Sequence, residues 1–220
     1  MGKYEQARRN MVQCQLSTNG IVDEKLSNIY GFVPRERFLP PEKHCAAYSD
    51  EDIILGKSGY MMEPLVHARM VQALDPHPDA NVLVVGDVTG YSCAVLSNIV
   101  STVVSLEPKK GCLDHAKTVW EELSFCNIPV LKGDVRKGCP EHAPYDLIFV
   151  NGAVAEVPEA LLEQLSPGGR LVTVMKPDPL GTGTVLLVQR LPQGGFSHVT
   201  YQDASPPYVE GLEPQPAFAF

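Results

Sequence analysis

The sequence predicts an α/β protein: a doubly wound, mostly parallel sheet with an N-terminal helical extension and an antiparallel C-terminal edge. Apolar runs of strand length recur through the middle of the chain: Val82-Leu83-Val84-Val85, Thr102-Val103-Val104-Ser105-Leu106, Ile128 to Leu131, Asp146-Leu147-Ile148-Phe149-Val150 and Leu171-Val172-Thr173-Val174. Runs without polar alternation belong to strands buried on both faces. Helical segments alternate with them, which implies right-handed crossovers and a parallel sheet covered on both sides. With 220 residues, 44% hydrophobic and 20% charged, the chain has enough apolar surface for one core. Residues 1–220 are therefore expected to form a single domain, with 1–64 helical, 65–190 the α/β core and 191–220 an edge strand and Pro-rich tail.

Tyr4 to Leu16 contains no Gly or Pro and predicts a helix; Asp23 to Ile29 predicts a second, opened by an acidic cap. Val33 to Pro41 holds three prolines and breaks regularity. After the loop Gly56 to Gly59, Pro64 opens a helix in the first turn, where its missing N–H is harmless. Val66, Met70, Ala73 and Leu74 share one face of it, and Glu63 is placed to cap it. Gly86-Asp87-Val88-Thr89-Gly90 turns the first strand into a helix over Tyr91 to Val100. The second strand ends on Glu107 and the third near Gly133-Asp134, with Leu113, Ala116, Trp120 and Leu123 marking an amphipathic helix between them. Val157 to Leu165 predicts the next helix, and Pro167-Gly168-Gly169 the turn into the fifth strand. Val185 to Val188 and His198 to Tyr201 add antiparallel edge strands, and the tail from Pro206 is expected to be irregular.

Composition excludes several functions. Eighteen basic against 26 acidic residues give a net charge of −8, which repels phosphate backbones and argues against nucleic acid as a partner. No run approaches the roughly 18 apolar residues that a membrane span needs. Met1 to Arg9 is polar, unlike a secretory signal, so a cytoplasmic protein is expected. The six cysteines lie at least 13 residues apart, which suits reduced, mostly buried thiols. No Cys-x-x-Cys pair is present, and none of His44, His67, His77, His115, His142 and His198 has a partner at ligand spacing; no metal is expected. No long amphipathic seam demands a dimer, so a monomer is expected.

In an open α/β sheet the ligand sits outside the carboxyl ends of the strands, where the strand order reverses. A short loop feeding a helix N-terminus offers free N–H groups and a positive dipole end there. Glu107 follows Gly86 by 21 residues, the separation at which an acidic strand end accepts hydrogen bonds from ribose hydroxyls. Asp134, ending the next strand, is placed for an adenine amino group. These features describe a nucleoside pocket; the alternative is a tight strand–helix turn holding no ligand. Val88 and Tyr91 stand where a dinucleotide fingerprint needs glycines, and no Gly-Lys-Ser/Thr follows the loop. A nucleoside without a pyrophosphate remains, which fits S-adenosylmethionine. Asp87 either binds its methionine amino group or closes an Asx turn.

Val33-Pro34-Arg35-Glu36-Arg37-Phe38-Leu39-Pro40, Ala47-Tyr48-Ser49-Asp50 and Val82 to Tyr91 with Glu107 carry a family pattern. Gly138 to Asp146, Glu156 to Leu162 and Leu165 to Val172 continue it in order. The chain, from its first helix to about Arg190, resembles the protein-L-isoaspartate O-methyltransferases. The resemblance implies a Rossmann-like methyltransferase fold. It also implies methyl transfer from S-adenosylmethionine to the α-carboxyl of L-isoaspartyl residues in damaged proteins, the first step of their repair. By position it sets the Gly86 to Gly90 loop, with Asp87 and Val88, against the methionine part, Glu107 against the ribose and Asp134 against the adenine. Tyr91, Pro108, Gly133, Val135 and Asn151 complete the implied cofactor set. Ala47, Tyr48, Gly59, Tyr60 and Gly152 line the implied substrate side.

Three departures from the pattern stand out. The family loop Gly-x-Gly-Gln-Thr-x-Ser-Gln-Pro is here Gly56-Lys57-Ser58-Gly59-Tyr60-Met61-Met62-Glu63-Pro64, so Tyr60 and Met62 hold the hydroxyl positions of the implied catalytic contact and the serine is absent. Val84 replaces the acidic residue usual in the first strand, and Val88 replaces the middle glycine of the loop. Loss of one hydroxyl contact costs about 1–3 kcal/mol, while an ionised carboxylate nucleophile needs no general base. Val88 is the sharper concern, because a β-branched residue tolerates positive φ badly and would crowd the cofactor. An alternative reading is therefore a non-catalytic or altered-substrate homologue, with Val88 filling the cavity. Met61 and Met62 are expected to pack at the helix start, Glu63 to repel a carboxylate substrate, and Lys57 either to attract one or to be solvated. Arg35 and Arg37 are expected to tie the N-terminal region to the core.

Overall fold

The computed structural model describes residues 2–56, 59–107 and 111–215, with backbone alone at Glu107. The N-terminal region opens with α1 (Lys3–Asn10), which continues into a π-helical turn at Met11–Leu16. Helix α2 (Glu24–Phe32) starts on Asp23, whose carboxylate accepts hydrogen bonds from the Lys25 and Leu26 amides, as the sequence predicts. Two short strands, β1 (Ile53–Ile54) and β2 (Tyr60–Met61), pair antiparallel and lead into α3 (Pro64–Leu74). Glu63 occupies the cap position of α3, but its side chain makes no capping bond. Its own amide instead donates to Asp52 Oδ1 at 2.8 Å, which corrects the expected capping role.

The apolar runs form β3 (Asn81–Val85), β4 (Thr102–Glu107), β5 (Val130–Lys132), β6 (Tyr145–Val154) and β7 (Leu165–Met175). Helices α4 (Tyr91–Ser97), α5 (Asp114–Glu122) and α6 (Glu159–Glu163) lie between them, followed by β8 (Gly183–Arg190) and β9 (Phe196–Ala204). The seven-stranded sheet runs β5-β4-β3-β6-β7-β8-β9. Strands β5, β4, β3, β6 and β7 are parallel, β8 is antiparallel to β7, and β9 is antiparallel to β8.

Alternate residues of each strand feed opposite faces. On one face Val82, Val84, Leu147, Phe149 and Val172 pack against α2, α3, α4 and α5 through residues such as Tyr30, Met70, Val95 and Trp120. On the other, Leu83, Val85, Ile148, Val150 and Leu171 meet Leu161, Val135 and Tyr145, together with Val209 and Leu212 from the tail. Both faces are covered, as the sequence predicts; among the described residues this second face carries the five-residue α6, a 3-10 turn at Pro140–His142 and the tail. Gly133, Gly138, Pro140 and Pro144 prevent a crossover helix between β5 and β6, because each lacks helix propensity.

The cysteines are less buried than expected: Cys93 and Cys139 are inside, whereas Cys14, Cys45 and Cys126 are exposed on N-terminal and connecting turns. No helix among the described residues is long and apolar enough to cross a membrane.

Candidate functional site

The strand order reverses at β3, with β4 and β5 on one side and β6 and β7 on the other. A crevice over the carboxyl ends of these strands is the expected ligand position in such a sheet. Strand β3 stops at Val85, whereas β6 continues to Val154. The β6–β7 register shifts between Phe149 and Ala153, so Asn151 and Gly152 have no register partner on β7.

The loop between β3 and α4 places Gly86 and Gly90 in the left-handed region, at φ 83° and 75°. Asp87 closes it: Oδ1 accepts from the Gly90 amide at 2.9 Å and from Thr89 Oγ1 at 3.0 Å, and Oδ2 accepts from the Cys93 amide at 2.9 Å. Burial raises the Asp87 pKa, and these hydrogen bonds oppose the shift. Of its two expected roles, the structure displays the local one, with both oxygens engaged inside the loop. Gly90 is clamped from beneath: Trp120 Nε1 donates to its carbonyl at 3.0 Å, and a Cβ there would fall 2.4 Å from that of Ala116. Val88 does not take positive φ, so the strain expected of it does not arise. Its Cγ2 stands 2.6 Å from where a Cβ on Gly59 would be, so it packs against the residue just before β2.

On β2 the Tyr60 hydroxyl donates to the Asn151 carbonyl at 2.8 Å. Burial, followed by the nearby Asp52 and Asp87 carboxylates, pushes its pKa well above the usual tyrosine value and keeps it neutral. A Cβ on Gly152 would lie 2.5 Å from that hydroxyl, so the glycine lets Tyr60 reach the strand end. Met61 and Met62 are both in the core, as expected. The Met62 carbonyl accepts from Arg35, whose Nε donates to the Ala47 carbonyl at 2.7 Å. Arg35 is fully buried with its guanidinium 4.9 Å over the Tyr91 ring, and Arg37 pairs with Glu122 of α5. Both arginines thus tie the N-terminal region to the core. The Tyr48 hydroxyl donates to Glu36 and accepts from Arg8 at 3.4 Å. Beyond β5, Asp134 is exposed and its Oδ1 accepts from the Arg136 amide at 2.9 Å, Val135 is buried, and Gly133 packs on Leu106. Lys57, Pro108 and the Glu107 side chain lie outside the described residues.

Two features escaped the sequence. The first is a buried polar relay. The Tyr30 hydroxyl and His67 Nδ1 are 2.5 Å apart, His67 Nε2 and Ser92 Oγ 3.0 Å, and Ser92 Oγ donates to Asn151 Oδ1 at 3.2 Å. With the serine proton on Asn151, Nε2 must donate to Ser92 and Nδ1 accept from Tyr30, which fixes a neutral tautomer. Burial and the neighbouring Arg35 lower the His67 pKa to about 3, consistent with that assignment. Its partners lie 37 and 25 residues away and leave no local signal.

The second is the tail, which is irregular but docked. The Ala153 amide donates to the Pro207 carbonyl at 3.0 Å, the Val209 amide to the Ala153 carbonyl at 2.9 Å, and the Ala155 amide to the Leu212 carbonyl at 2.9 Å. Val209 methyls lie 2.9 Å from a Cβ position on Gly86 and 2.8 Å from one on Gly152. Val209, not Val88, is the side chain lying over the glycine loop.

Residues 7–194 match the family described as protein-L-isoaspartate(D-aspartate) O-methyltransferase (PCMT). The chain belongs to this family. A protein-L-isoaspartate O-methyltransferase of Pelotomaculum thermopropionicum is 38% identical over 193 residues, covering 86% of this chain and 82% of the relative. A protein-L-isoaspartate O-methyltransferase 2 of Anaeromyxobacter sp. is 39% identical over 178 residues, covering 79% and 72%. One solved protein-L-isoaspartate O-methyltransferase superposes with a TM-score of 0.73 at 24% identity, over 95% of this chain and 67% of the other. A Plasmodium falciparum structure assigned to the same activity, in complex with S-adenosyl-L-homocysteine, gives 0.74 at 18% identity, over 95% and 99%. These two structures share the fold seen here. The PCMT match ends at residue 194, so β9 and the docked tail lie outside it.

Proposed function

We propose that this PCMT-family chain is an S-adenosylmethionine-dependent carboxyl O-methyltransferase acting on L-isoaspartyl residues of damaged proteins. The observation that carries the reading is the Gly86 to Gly90 loop at the reversal point of the sheet, in a chain that matches the family over residues 7–194. The framework suits a nucleoside: Gly86 offers bare backbone, Val135 an apolar surface, and Glu107 and Asp134 stand at or just past two neighbouring strand ends. In this reading Gly86, Val88 and Gly90 underlie the amino-acid end, Glu107 and Pro108 hold the ribose, and Gly133, Asp134 and Val135 the adenine. Asp87 acts by keeping the loop closed, and Tyr91 by carrying Arg35.

The cofactor supplies a methyl group on a sulfonium centre, open to attack by an ionised carboxylate. The chain's own contribution is placement and exclusion of water, since an isoaspartyl carboxylate is already charged at neutral pH. Tyr60, neutral and bonded to Asn151, fixes β2 against the end of β6, while Ala47, Tyr48, Gly59 and Gly152 shape the substrate side. Met62 contributes only an apolar wall where the family pattern has serine. Asp52 and Glu63 flank this side, and burial together with Asp52 raises the Glu63 pKa. Their charges oppose an anionic substrate. The reading includes a cytoplasmic monomer whose partners are isoaspartyl-bearing polypeptides.

Transfer of radiolabelled methyl to an isoaspartyl peptide, with the aspartyl peptide of the same sequence as control, tests this. A base-labile ester on the isoaspartyl peptide alone is expected. No transfer by the full chain or by a form ending at Ser205 overturns the reading.

A further inference from the structure

We propose that Asn151 grips the carboxylate of the substrate, its side-chain amide donating to one oxygen while the other stays free to attack the methyl group. The inference rests on the methyltransferase reading above, and it supplies the contact for which Met62 has no hydroxyl. Asn151 is the first residue of β6 past the last pair with β3, Val85 with Val150. It therefore stands at the opening where the strand order reverses, the position where such sheets hold their ligands. Its carbonyl accepts from the Tyr60 hydroxyl, which ties it to the segment that the family pattern turns toward the substrate. The residue is only 2% exposed, so any contact it makes with a ligand is made in a nearly dry setting.

The buried relay decides which end of the amide is left for a ligand. Its polarity is set at Tyr30, a fully buried hydroxyl whose one hydrogen-bond partner among the described residues is His67. Were the relay reversed, His67 would donate to Tyr30, and the Tyr30 proton would have no acceptor among those residues, a costly state for a buried group. Tyr30 therefore donates to Nδ1, Nε2 donates to Ser92, and Ser92 donates to Asn151 Oδ1. With Oδ1 turned onto Ser92, the nitrogen end remains. Nδ2 donates to no atom of the described residues, yet it is not among the enclosed, unpartnered side-chain atoms, which belong to Gln15, Arg35, Arg69, Asn81 and Tyr91. Its hydrogens are the part of Asn151 open to a ligand.

The described hydroxyls around this opening are already spent. Tyr60 gives its proton to the Asn151 carbonyl, Tyr48 to Glu36, Thr89 to Asp87, Ser92 to Asn151 Oδ1 and Thr173 to the Gly152 carbonyl. The Tyr91 hydroxyl is unpartnered but sealed from solvent. Asp52 and Glu63 carry the same charge as a substrate carboxylate. A hydrogen bond to an ionised acceptor is roughly twice as strong as one between neutral groups, so one fixed amide offsets part of that repulsion. Being neutral, the amide adds no counter-charge that would damp the attacking oxygen.

Initial rates with an isoaspartyl peptide at saturating S-adenosylmethionine, and calorimetric titration with S-adenosylhomocysteine, are compared for the unaltered chain, Asn151→Ala, Asn151→Asp and Ser92→Ala. Asn151→Ala should raise the KM for the peptide roughly tenfold or more, and Asn151→Asp, which sets carboxylate against carboxylate, further still. S-Adenosylhomocysteine affinity should stay within about twofold of the unaltered chain in both. Ser92→Ala keeps the amide but frees it to turn, and should raise that KM roughly three- to tenfold with kcat kept. A serine of structural importance alone would lower kcat through loss of folded enzyme and leave KM unchanged, an outcome that overturns the part given to the relay. Unchanged peptide KM in the Asn151 variants overturns the inference and leaves the methyltransferase reading standing. So does a loss of S-adenosylhomocysteine affinity in place of the KM effect, which would assign the amide to the cofactor's own carboxylate. No methyl transfer by the unaltered chain overturns reading and inference together. Should Asn151→Asp not fold, Asn151→Ala and Ser92→Ala decide.

Discussion

The two faces of the sheet are closed by different means. One lies under α2, α3, α4 and α5 and contains buried polar groups that satisfy one another, from Tyr30 through His67 and Ser92 to Asn151. The other is covered by α6, a short turn and the docked tail, which contributes Val209 and Leu212 to the apolar cluster and backbone hydrogen bonds to Ala153 and Ala155. The difference is one of cooperativity. A polar relay is all or none, because removing one member strands its buried neighbours. An aliphatic contact is graded, so an element held by it can detach and leave little unsatisfied.

The largest effect is expected on the helix-covered face. Gly90→Ala forces left-handed backbone on alanine and drives a methyl into Ala116 and Trp120, which should cost roughly 2–6 kcal/mol in urea unfolding. A midpoint near that of the unaltered chain would show that the clamp yields. His67→Leu strands the hydroxyls of Tyr30 and Ser92 and should cost roughly 2–4 kcal/mol. The same residue sets an acid dependence. Its folded pKa of about 3 lies below the ordinary 6.5, so the unfolded chain takes up the proton first. Stability contributed by neutral His67 is complete above about 6.5 and falls by up to about 1.4 kcal/mol per pH unit toward 3. Asp52, Glu63 and Asp87, with raised pKa values, act in the opposite sense, so the slope is read as the difference from His67→Leu. Identical slopes in the two proteins would remove His67 as the cause.

The other face should respond less. Val209→Ala is expected to lower stability by about 1–2 kcal/mol, through the apolar area that two lost methyl groups no longer bury. A deficit as large as that of His67→Leu would make the two faces equivalent. At the rim, Glu63→Gln should lower the KM for an isoaspartyl peptide at neutral pH by roughly two- to fivefold, with the advantage shrinking in acid as Glu63 protonates. An unchanged KM across that range would place its charge out of reach of the substrate.

Strands β3 to β7 were legible because unbroken apolar runs have few alternatives to a buried parallel strand. Asp23 and Pro64 marked helix starts for equally local reasons. The spacing of Gly86, Glu107 and Asp134 put them at or just past successive strand ends, since strand length and crossover geometry fix where those ends fall. Glu63 misled because the cap position was right while its amide, not its carboxylate, found a partner in Asp52. The strain expected at Val88 did not arise because Gly86 and Gly90 supply the left-handed turns of the loop.

What the sequence determined by itself is periodicity, chain reversal and the chemical character of each strand end, all set by neighbours within a few residues. Which face received helices, which histidine closed a relay and which segment came to lie over Gly86 were decided only in three dimensions. Those outcomes depend on volumes and hydrogen-bond partners brought together from distant parts of the chain. Pro206-Pro207-Tyr208-Val209 has no period to reveal its destination. Its place follows from the fit of an aliphatic side chain between two glycines, a complementarity that exists only once the sheet has formed.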